Sequence, residues 1–177
     1  MQSLERAKSP NGNVTFRFND EILRKLRNEA DQKRISLNTL ASQIFQSYIE
    51  YDMYASRAGM VSFPKSLLIR IMDGLNEREV DQLSEYIAKN EFKEMTLLMK
   101  NEYTLSAFLD LIESWLRISG FGYRRDIVDG VQTFVIQHDM GKRWSVYFER
   151  LIRYVFQDLK QPTPTFDVTD NSLAFRV

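Results

Sequence analysis

The chain of 177 residues has no cysteine, a single histidine and only seven glycines. Without cysteine there can be no disulfide, thiolate metal site or cysteine nucleophile. One histidine cannot supply the histidine pair of a typical catalytic metal centre. No glycines stand in the spacing that cradles a nucleotide phosphate, and there is no nucleophile elbow. The sequence therefore predicts a protein that is not an enzyme and that uses neither a metal nor a cofactor.

Long apolar runs are also missing from the sequence. No stretch approaches the roughly 20 apolar residues of a membrane span, and residues 1–6 lack the apolar core of a signal peptide. A hydrophobic content of 44% and a charged content of 27% are typical of soluble globular proteins. We therefore expect a cytoplasmic protein that does not contact membranes, with one medium domain or two small ones.

The most informative pattern lies near the N-terminus, where apolar and polar side chains alternate as in a β-strand. The apolar face holds Val14, Phe16 and Phe18, and the polar face holds Asn13, Thr15 and Arg17. No second strand lies nearby in the sequence to satisfy the backbone hydrogen bonds of this segment. We therefore expect it to pair with the same strand of a second copy of the chain.

Two short amphipathic helices are predicted after this strand. Asn19 is a suitable N-cap for the first, and Asp20 and Glu21 place negative charge in its first turn. Ser36 is the natural N-cap of the second helix. One strand and two short helices cannot close a hydrophobic core alone, whereas an intertwined dimer can.

Residues 13–50 resemble the ribbon-helix-helix DNA-binding proteins, of which the Arc and MetJ repressors are examples. The resemblance implies that two paired strands enter the major groove of double-stranded DNA. Asn13, Thr15 and Arg17 would then face the base edges.

The resemblance also implies that the start of the second helix binds a phosphate, through Ser36, Leu37 and Asn38. A helix N-terminus favours an anion on physical grounds as well, since it presents free N–H groups and a partial positive charge. The turn before it departs from the family, whose members often carry glycine there. This chain has Arg34 in that turn, well placed to reach a phosphate.

The net charge is zero, but positive charge is concentrated at the N-terminal end. Residues 1–34 contain eight Lys or Arg against five Asp or Glu, and residues 51–177 contain sixteen against eighteen. Dimerisation would double the N-terminal excess. We expect non-specific DNA binding to be weak and strongly reduced by salt.

The remainder of the chain resembles no family that we recognise, and its pattern changes from helical to strand periodicity near Gly120. In the helical part, Pro64 suits a first helical position, Asn76 and Glu79 form a capping box, and Asn90 is expected to end a helix. Thr104 is expected to cap the final helix of this part. The segment 92–99 fits either a helix or a strand.

The strand-rich part contains a hairpin with Asp129 and Gly130 at its turn, a helix after Gly141, and one or two further strands. This order predicts a small α/β sandwich with an antiparallel sheet. The expected fold class is α+β. The expected organisation is a flexible arm at 1–12, a ribbon-helix-helix domain at 13–54, a linker at 55–62 and a regulatory or oligomerisation domain at 63–177.

Two residues of the C-terminal domain are candidate ligand-binding residues, His138 in a loop and Trp144 in an aromatic-rich helix. The function that fits the whole sequence is a sequence-specific transcriptional regulator, acting as a homodimer or a tetramer, with a small-molecule or protein effector. One alternative is an antitoxin that represses its own operon and inhibits a toxin through its C-terminal part. The other is a ligand-sensing or interaction protein that does not bind DNA.

Overall fold

The computed structural model describes Gly12, residues 14–55 and residues 57–177. The protein is α+β, with helices along most of the chain and a four-stranded antiparallel sheet at its C-terminal end, which confirms the fold class at that level. The chain divides into two compact units, residues 1–44 and residues 45–177. Tyr51 belongs to the second unit, where it is buried in a cluster with Met99 and Leu111.

The described part of the N-terminal unit contains helix α1 (Asp20–Gln32) and most of helix α2 (Leu37–Ser47). As predicted, the Asn19 side chain caps α1 by accepting a hydrogen bond from the backbone N–H of Ile22 at 2.8 Å. Residues 14–18, predicted as a strand, form no β-strand within the single chain. The four strands that the structure describes pair with each other in the C-terminal unit.

The turn between α1 and α2 is closed by two crossed hydrogen bonds. The N–H of Ile35 donates to the Ala30 carbonyl at 3.0 Å, and the N–H of Arg34 donates to the Asp31 carbonyl at 3.0 Å. This pattern is a Schellman motif, and it requires a left-handed residue after the helix, usually glycine. Arg34 takes that conformation, with φ of 54°. The turn therefore has the geometry that a glycine normally provides, although it contains none.

The helices of the C-terminal unit include two π-helical turns that join α-helical segments without a break. Helix α2 continues through the first π turn into one turn of α-helix, and α5 continues through the second into α6. The segments are π1 (Tyr48–Asp52), α3 (Met53–Ala55), α4 (Lys65–Asp73), α5 (Glu77–Tyr86), π2 (Ile87–Phe92), α6 (Lys93–Lys100), α7 (Leu105–Ile118) and α8 (Lys142–Asp158).

Several predicted helix boundaries are confirmed and two are wrong. Asn76 and Glu79 form the reciprocal capping box of α5, and Thr104 caps α7 by accepting from the N–H of Ala107. Pro64 precedes the first residue of α4 instead of occupying it. Asn90 does not end a helix but lies inside π2, where its side-chain amide donates to the Tyr86 carbonyl at 2.9 Å.

The sheet consists of two hairpins placed side by side. Its strands are β1 (Gly122–Val128), β2 (Val131–Gln137), β3 (Thr165–Val168) and β4 (Ser172–Arg176). Their order is β1-β2-β4-β3, and every neighbouring pair is antiparallel. Helix α8 connects the two hairpins, as the sequence pattern predicts.

The core of this unit lies between the sheet and the helices. The Phe134 and Phe175 rings, on neighbouring strands, stack in parallel with their centroids 4.8 Å apart. Helix α8 contributes the buried apolar residues Phe148, Leu151, Ile152, Val155 and Phe156. Helix α7 adds Phe108, whose ring meets that of Phe156 edge to face. The one apolar face of the antiparallel sheet is thus covered by helices, as expected for this layer arrangement.

We predict that Gly130→Ala lowers the free energy of unfolding by about 1 kcal/mol. Asp129 and Gly130 have φ of 50° and 82°, as a tight hairpin turn requires, and alanine is strained there. An added Cβ would meet no atom within 4 Å, so the cost is backbone strain alone.

Gly74→Ala is the matched control, because Gly74 has φ of −75° and room for a methyl group. It should leave stability unchanged or raise it slightly. Urea unfolding measures both variants, and equal effects at the two positions would contradict the assigned hairpin turn.

Candidate nucleic-acid interface

The residues predicted to read bases lie on an exposed segment. Thr15 and Arg17 are both exposed, while Asn13 lies outside the described residues. No ion pair to Arg17 occurs in the part of the chain that the structure describes. The guanidinium group is therefore presented to solvent.

The apolar residues of the same segment are exposed to an unusual degree. Val14 is 74% exposed, Phe16 53% and Phe18 47%. The rings of Phe16 and Phe18 lie on the same side of the chain, with centroids 6.0 Å apart, which agrees with the predicted alternation. Three such side chains within five residues form an apolar patch of the kind that marks an interaction surface.

The N-terminal unit buries little of its own apolar surface. Among its described residues, only Ala30 and Leu40 are fully buried hydrophobic side chains. Ile22 at the start of α1 and Ile44 near the end of α2 are both exposed. A core of this size stabilises the folded unit only slightly, and additional apolar contacts would stabilise the unit further.

The candidate phosphate-binding residues lie together at the start of α2. The Ser36 hydroxyl caps the helix, accepting a hydrogen bond from the N–H of Thr39 at 3.0 Å and lying 2.7 Å from the Thr39 hydroxyl. Leu37 and Asn38 are the first residues of α2, and their backbone N–H groups therefore have no carbonyl acceptor within the helix. Arg34, two residues before Ser36, is exposed. The structure thus brings together the four residues of this predicted site.

The charge of this unit is positive after ion pairing. Residues 14–44 contain six Lys or Arg and four Asp or Glu. Two of the cations are paired along α1, Lys25 with Glu21 at 2.6 Å and Lys33 with Glu29 at 2.9 Å. Exposed pairs of this kind hold their partners weakly. The arginines of the unit have no ion pair among the described residues and contribute the positive potential.

His138, the first candidate ligand-binding residue, is completely buried in the C-terminal unit. Its Nδ1 accepts a hydrogen bond from the backbone N–H of Met140 at 3.1 Å, and its Nε2 lies 2.9 Å from the Ser145 hydroxyl. Nδ1 is therefore unprotonated and Nε2 carries the hydrogen, which Ser145 accepts. Both ring nitrogens are used inside the protein, so the imidazole supports the loop and does not face a ligand.

Trp144, the second candidate, packs against the aromatic residues of α8. Its ring centroid lies 5.3 Å from that of Tyr147 and 5.4 Å from that of Phe148. Its indole Nε1 is buried and has no acceptor among the described residues. Trp144 also lines a cleft together with Lys65 and Trp115, which are distant from it in the sequence and were not predicted to lie near it. His138 does not line this cleft.

Among the described residues, no group of three or more His, Cys, Asp or Glu side chains is arranged to bind a metal ion. No described helix has the length and apolar character needed to cross a bilayer.

Comparison of the chain with protein-family models, curated proteins and solved structures gave no match.

We predict that His138→Gln removes a pH-dependent component of stability. Burial is the main cause that lowers the pKa of His138 below its ordinary value of 6.5, and Lys65 lowers it further, while Asp139 acts in the opposite direction. The unfolded chain then binds a proton more readily than the folded one. The free energy of unfolding should therefore fall as the pH drops below about 6.5.

This component is easily isolated because the chain has no other histidine. Urea unfolding of the wild type and of His138→Gln at neutral and mildly acidic pH measures it, with the wild type losing more stability on acidification. Parallel losses in the two proteins would contradict the buried neutral imidazole.

Proposed function

We propose that the protein is a sequence-specific DNA-binding transcriptional regulator that acts as a homodimer. The observation that carries the proposal is the segment 14–18, which exposes Arg17 and Thr15 together with three large apolar side chains. Exposure of these three apolar side chains to water is unfavourable in a monomer. In a ribbon formed by two copies of the segment they would be buried, and the polar side chains would point outward.

The first step is pairing of this segment with its copy. Residues 14–18 belong to no strand ladder in the single chain, and a strand ladder at this segment would need a second strand. A second copy offers the same length and the same alternation, and in an antiparallel arrangement the two apolar faces lie on one side. The two α1 and α2 pairs would then cover that side and complete a core.

The second step is base readout by the opposite face of the ribbon. A two-stranded ribbon fits the major groove, where each base pair has a distinct pattern of donors and acceptors. Arg17 would donate two hydrogen bonds to a guanine, a contact that is worth about 1–3 kcal/mol of discrimination. Thr15 and Asn13 would contact neighbouring bases.

The third step is placement of the ribbon on the DNA backbone. The start of α2 presents the N–H groups of Leu37 and Asn38, and the positive end of the helix dipole favours a phosphate there. Arg34 lies next to this helix start and can pair with the same phosphate. Contacts of this kind fix the register of the protein on DNA without reading sequence.

The C-terminal unit would then supply oligomer contacts or a response to an effector. Its buried aromatic core argues against the antitoxin alternative, because the toxin-binding tails of that class are usually short and disordered until they bind. Resistance of residues 63–177 to proteolysis in the isolated protein separates these two functions.

We predict that Phe18→Ser weakens the dimer about tenfold or more, since each dimer loses two buried phenyl rings. Sedimentation over a range of protein concentrations measures the effect. Leu97→Ser, which removes an exposed apolar side chain of α6, is the control and should leave the dimer unchanged. A dimer that survives Phe18→Ser with wild-type affinity would contradict the paired-strand arrangement.

We predict different effects for two arginine substitutions on DNA binding. Arg17→Ala should abolish the preference for the selected sequence over other sequences. Arg34→Gly should weaken binding to all sequences and reduce the salt dependence, because it removes a phosphate contact. Glycine suits the left-handed conformation at that position, so the turn remains intact.

Selection of bound sequences from a random DNA pool, followed by titrations at two salt concentrations, measures both effects. Arg78→Ala, at an exposed position of α5, is the control and should behave as the wild type. Unchanged sequence preference in Arg17→Ala would contradict the base-reading role, and no DNA affinity at low salt would contradict the function itself.

A further inference from the structure

Strand β1 lies at one end of the sheet and presents an open edge. In the strand order β1-β2-β4-β3, its only neighbour among the described strands is β2. All seven residues of β1 pair with β2 in unbroken antiparallel register, so neither a bulge nor a proline interrupts its outer edge. Ile127 and Val128, at the hairpin end of the strand, are 64% and 66% exposed. A regular edge with exposed apolar side chains is a template for pairing with another strand.

The opposite edge of the sheet is better protected against such pairing. Strand β3 at that edge has four residues, against seven in β1. Pro162 and Pro164 stand just before it, and proline cannot donate a backbone hydrogen bond to a neighbouring strand. The sheet can therefore be extended more readily at β1 than at β3.

The outward backbone groups of β1 are identified by the hydrogen bonds on the far side of β2. The backbone of Gln132 in β2 donates to Val177 at 2.8 Å and accepts from it at 2.9 Å, on the side of β4. Backbone groups of successive strand residues point to opposite edges, so the odd-numbered residues of β2 point to β1. They pair with the even-numbered residues of β1. The N–H and C=O groups that point to the outer edge are therefore those of Tyr123, Arg125 and Ile127.

The sequence of β1 is complementary to an antiparallel copy of itself. With Arg125 on the two-fold axis, Arg124 lies opposite Asp126 of the copy, and this pair of opposite charges occurs twice. On the other face of the sheet, Tyr123 lies opposite Ile127 of the copy and covers its exposed side chain. A shift of the register by two residues would place like charges opposite each other, either two Arg124 or two Asp126. Charge therefore selects one register.

The contacts within the single chain are compatible with this pairing. The Nε of Arg124 lies 2.7 Å from the Asp126 carboxylate, but both side chains are exposed, and such an ion pair is weak enough to rearrange. The guanidinium group of Arg125 donates to Glu113 at 3.2 Å and to Gln132 at 2.7 Å. The charge at the axis is thus directed into its own unit and not towards the copy.

We propose that β1 pairs with β1 of a second copy of the chain, in antiparallel register about Arg125, and joins the two sheets into one continuous sheet. All groups in this contact belong to the C-terminal unit. It is therefore a second interface between copies, separate from the proposed pairing of residues 14–18, and it does not depend on DNA binding.

A cysteine mixture tests the register in the full chain, which has no cysteine of its own. Arg124→Cys and Asp126→Cys are prepared separately, mixed and mildly oxidised. In the proposed register the two thiols face each other across the axis, with Cα atoms about 4.5 Å apart, which suits a disulfide. Two copies of either variant alone would hold their thiols farther apart. We expect the mixed disulfide to form about tenfold faster than either symmetrical one.

Intact mass identifies the product, because the two variants differ in mass. A mixture of Arg124→Cys with Thr165→Cys is the matched control, since Thr165 is an exposed residue of the opposite edge strand. This control mixture should show no preference for the mixed disulfide.

Charge reversal tests the complementarity in the same protein. Arg124→Glu places two carboxylates opposite each other twice and should weaken association about tenfold. Arg124→Glu combined with Asp126→Lys restores opposite charges in both pairs and should recover the association. Sedimentation in the Phe18→Ser background measures both variants, so that pairing of residues 14–18 does not mask the effect.

Three outcomes would overturn the proposal: no preference for the mixed disulfide, unchanged association in Arg124→Glu, or no recovery in the doubly reversed variant. Urea unfolding of each variant separates lost pairing from lost fold. If Arg124→Glu does not fold, the cysteine mixture decides alone, because it reverses no charge.

The two proposed interfaces fail independently. Absence of the mixed disulfide would leave the effects of Phe18→Ser and the DNA selection unchanged. Absence of any effect of Phe18→Ser would leave the disulfide pattern unchanged.

Discussion

The packing of helix α8 is the contact on which the rest of the C-terminal unit depends. This helix touches β3 and β4 of the sheet as well as α4, α5 and π2 of the helical layer. Its apolar side chains fill the core. Its Tyr154 hydroxyl donates a hydrogen bond to Asp81 of α5 at 3.0 Å and helps to fix the position of α8 against α5. Because one helix joins both layers, the sheet, the buried His138 and the cleft lined by Trp144 all depend on its placement.

Much of the fold could be predicted from local signals in the sequence. The capping residues Asn19, Asn76 and Thr104 and the turn at Asp129 act within a few residues, so their roles are visible without the rest of the chain. The continuation of the helix past Asn90 was not predictable in that way. Buried residues at 80, 84, 88 and 96 are spaced by multiples of four, longer than the α-helical period, and only packing shows that a π turn accommodates them.

The candidate sites differ in how much of them the sequence reveals. The cluster around Ser36 is contiguous in sequence, and the structure brings its members together. His138 looked available in a loop, but tertiary packing buries it and satisfies both nitrogens. Lys65 and Trp144 are far apart in the chain, and no motif links them, so their shared cleft was visible only after folding.

The second π-helical turn allows the length of this helix to vary by one residue. A π turn holds about one residue more than an α turn, so deletion of a single residue within residues 87–92 would convert it to ordinary α-helix. The missing residue and the tighter turn nearly cancel, and the side chains downstream would keep their faces of the helix. Thr96 and Met99 would therefore stay in their buried positions. Homologous chains that keep this helix should differ by one residue at this turn more readily than elsewhere along the helix.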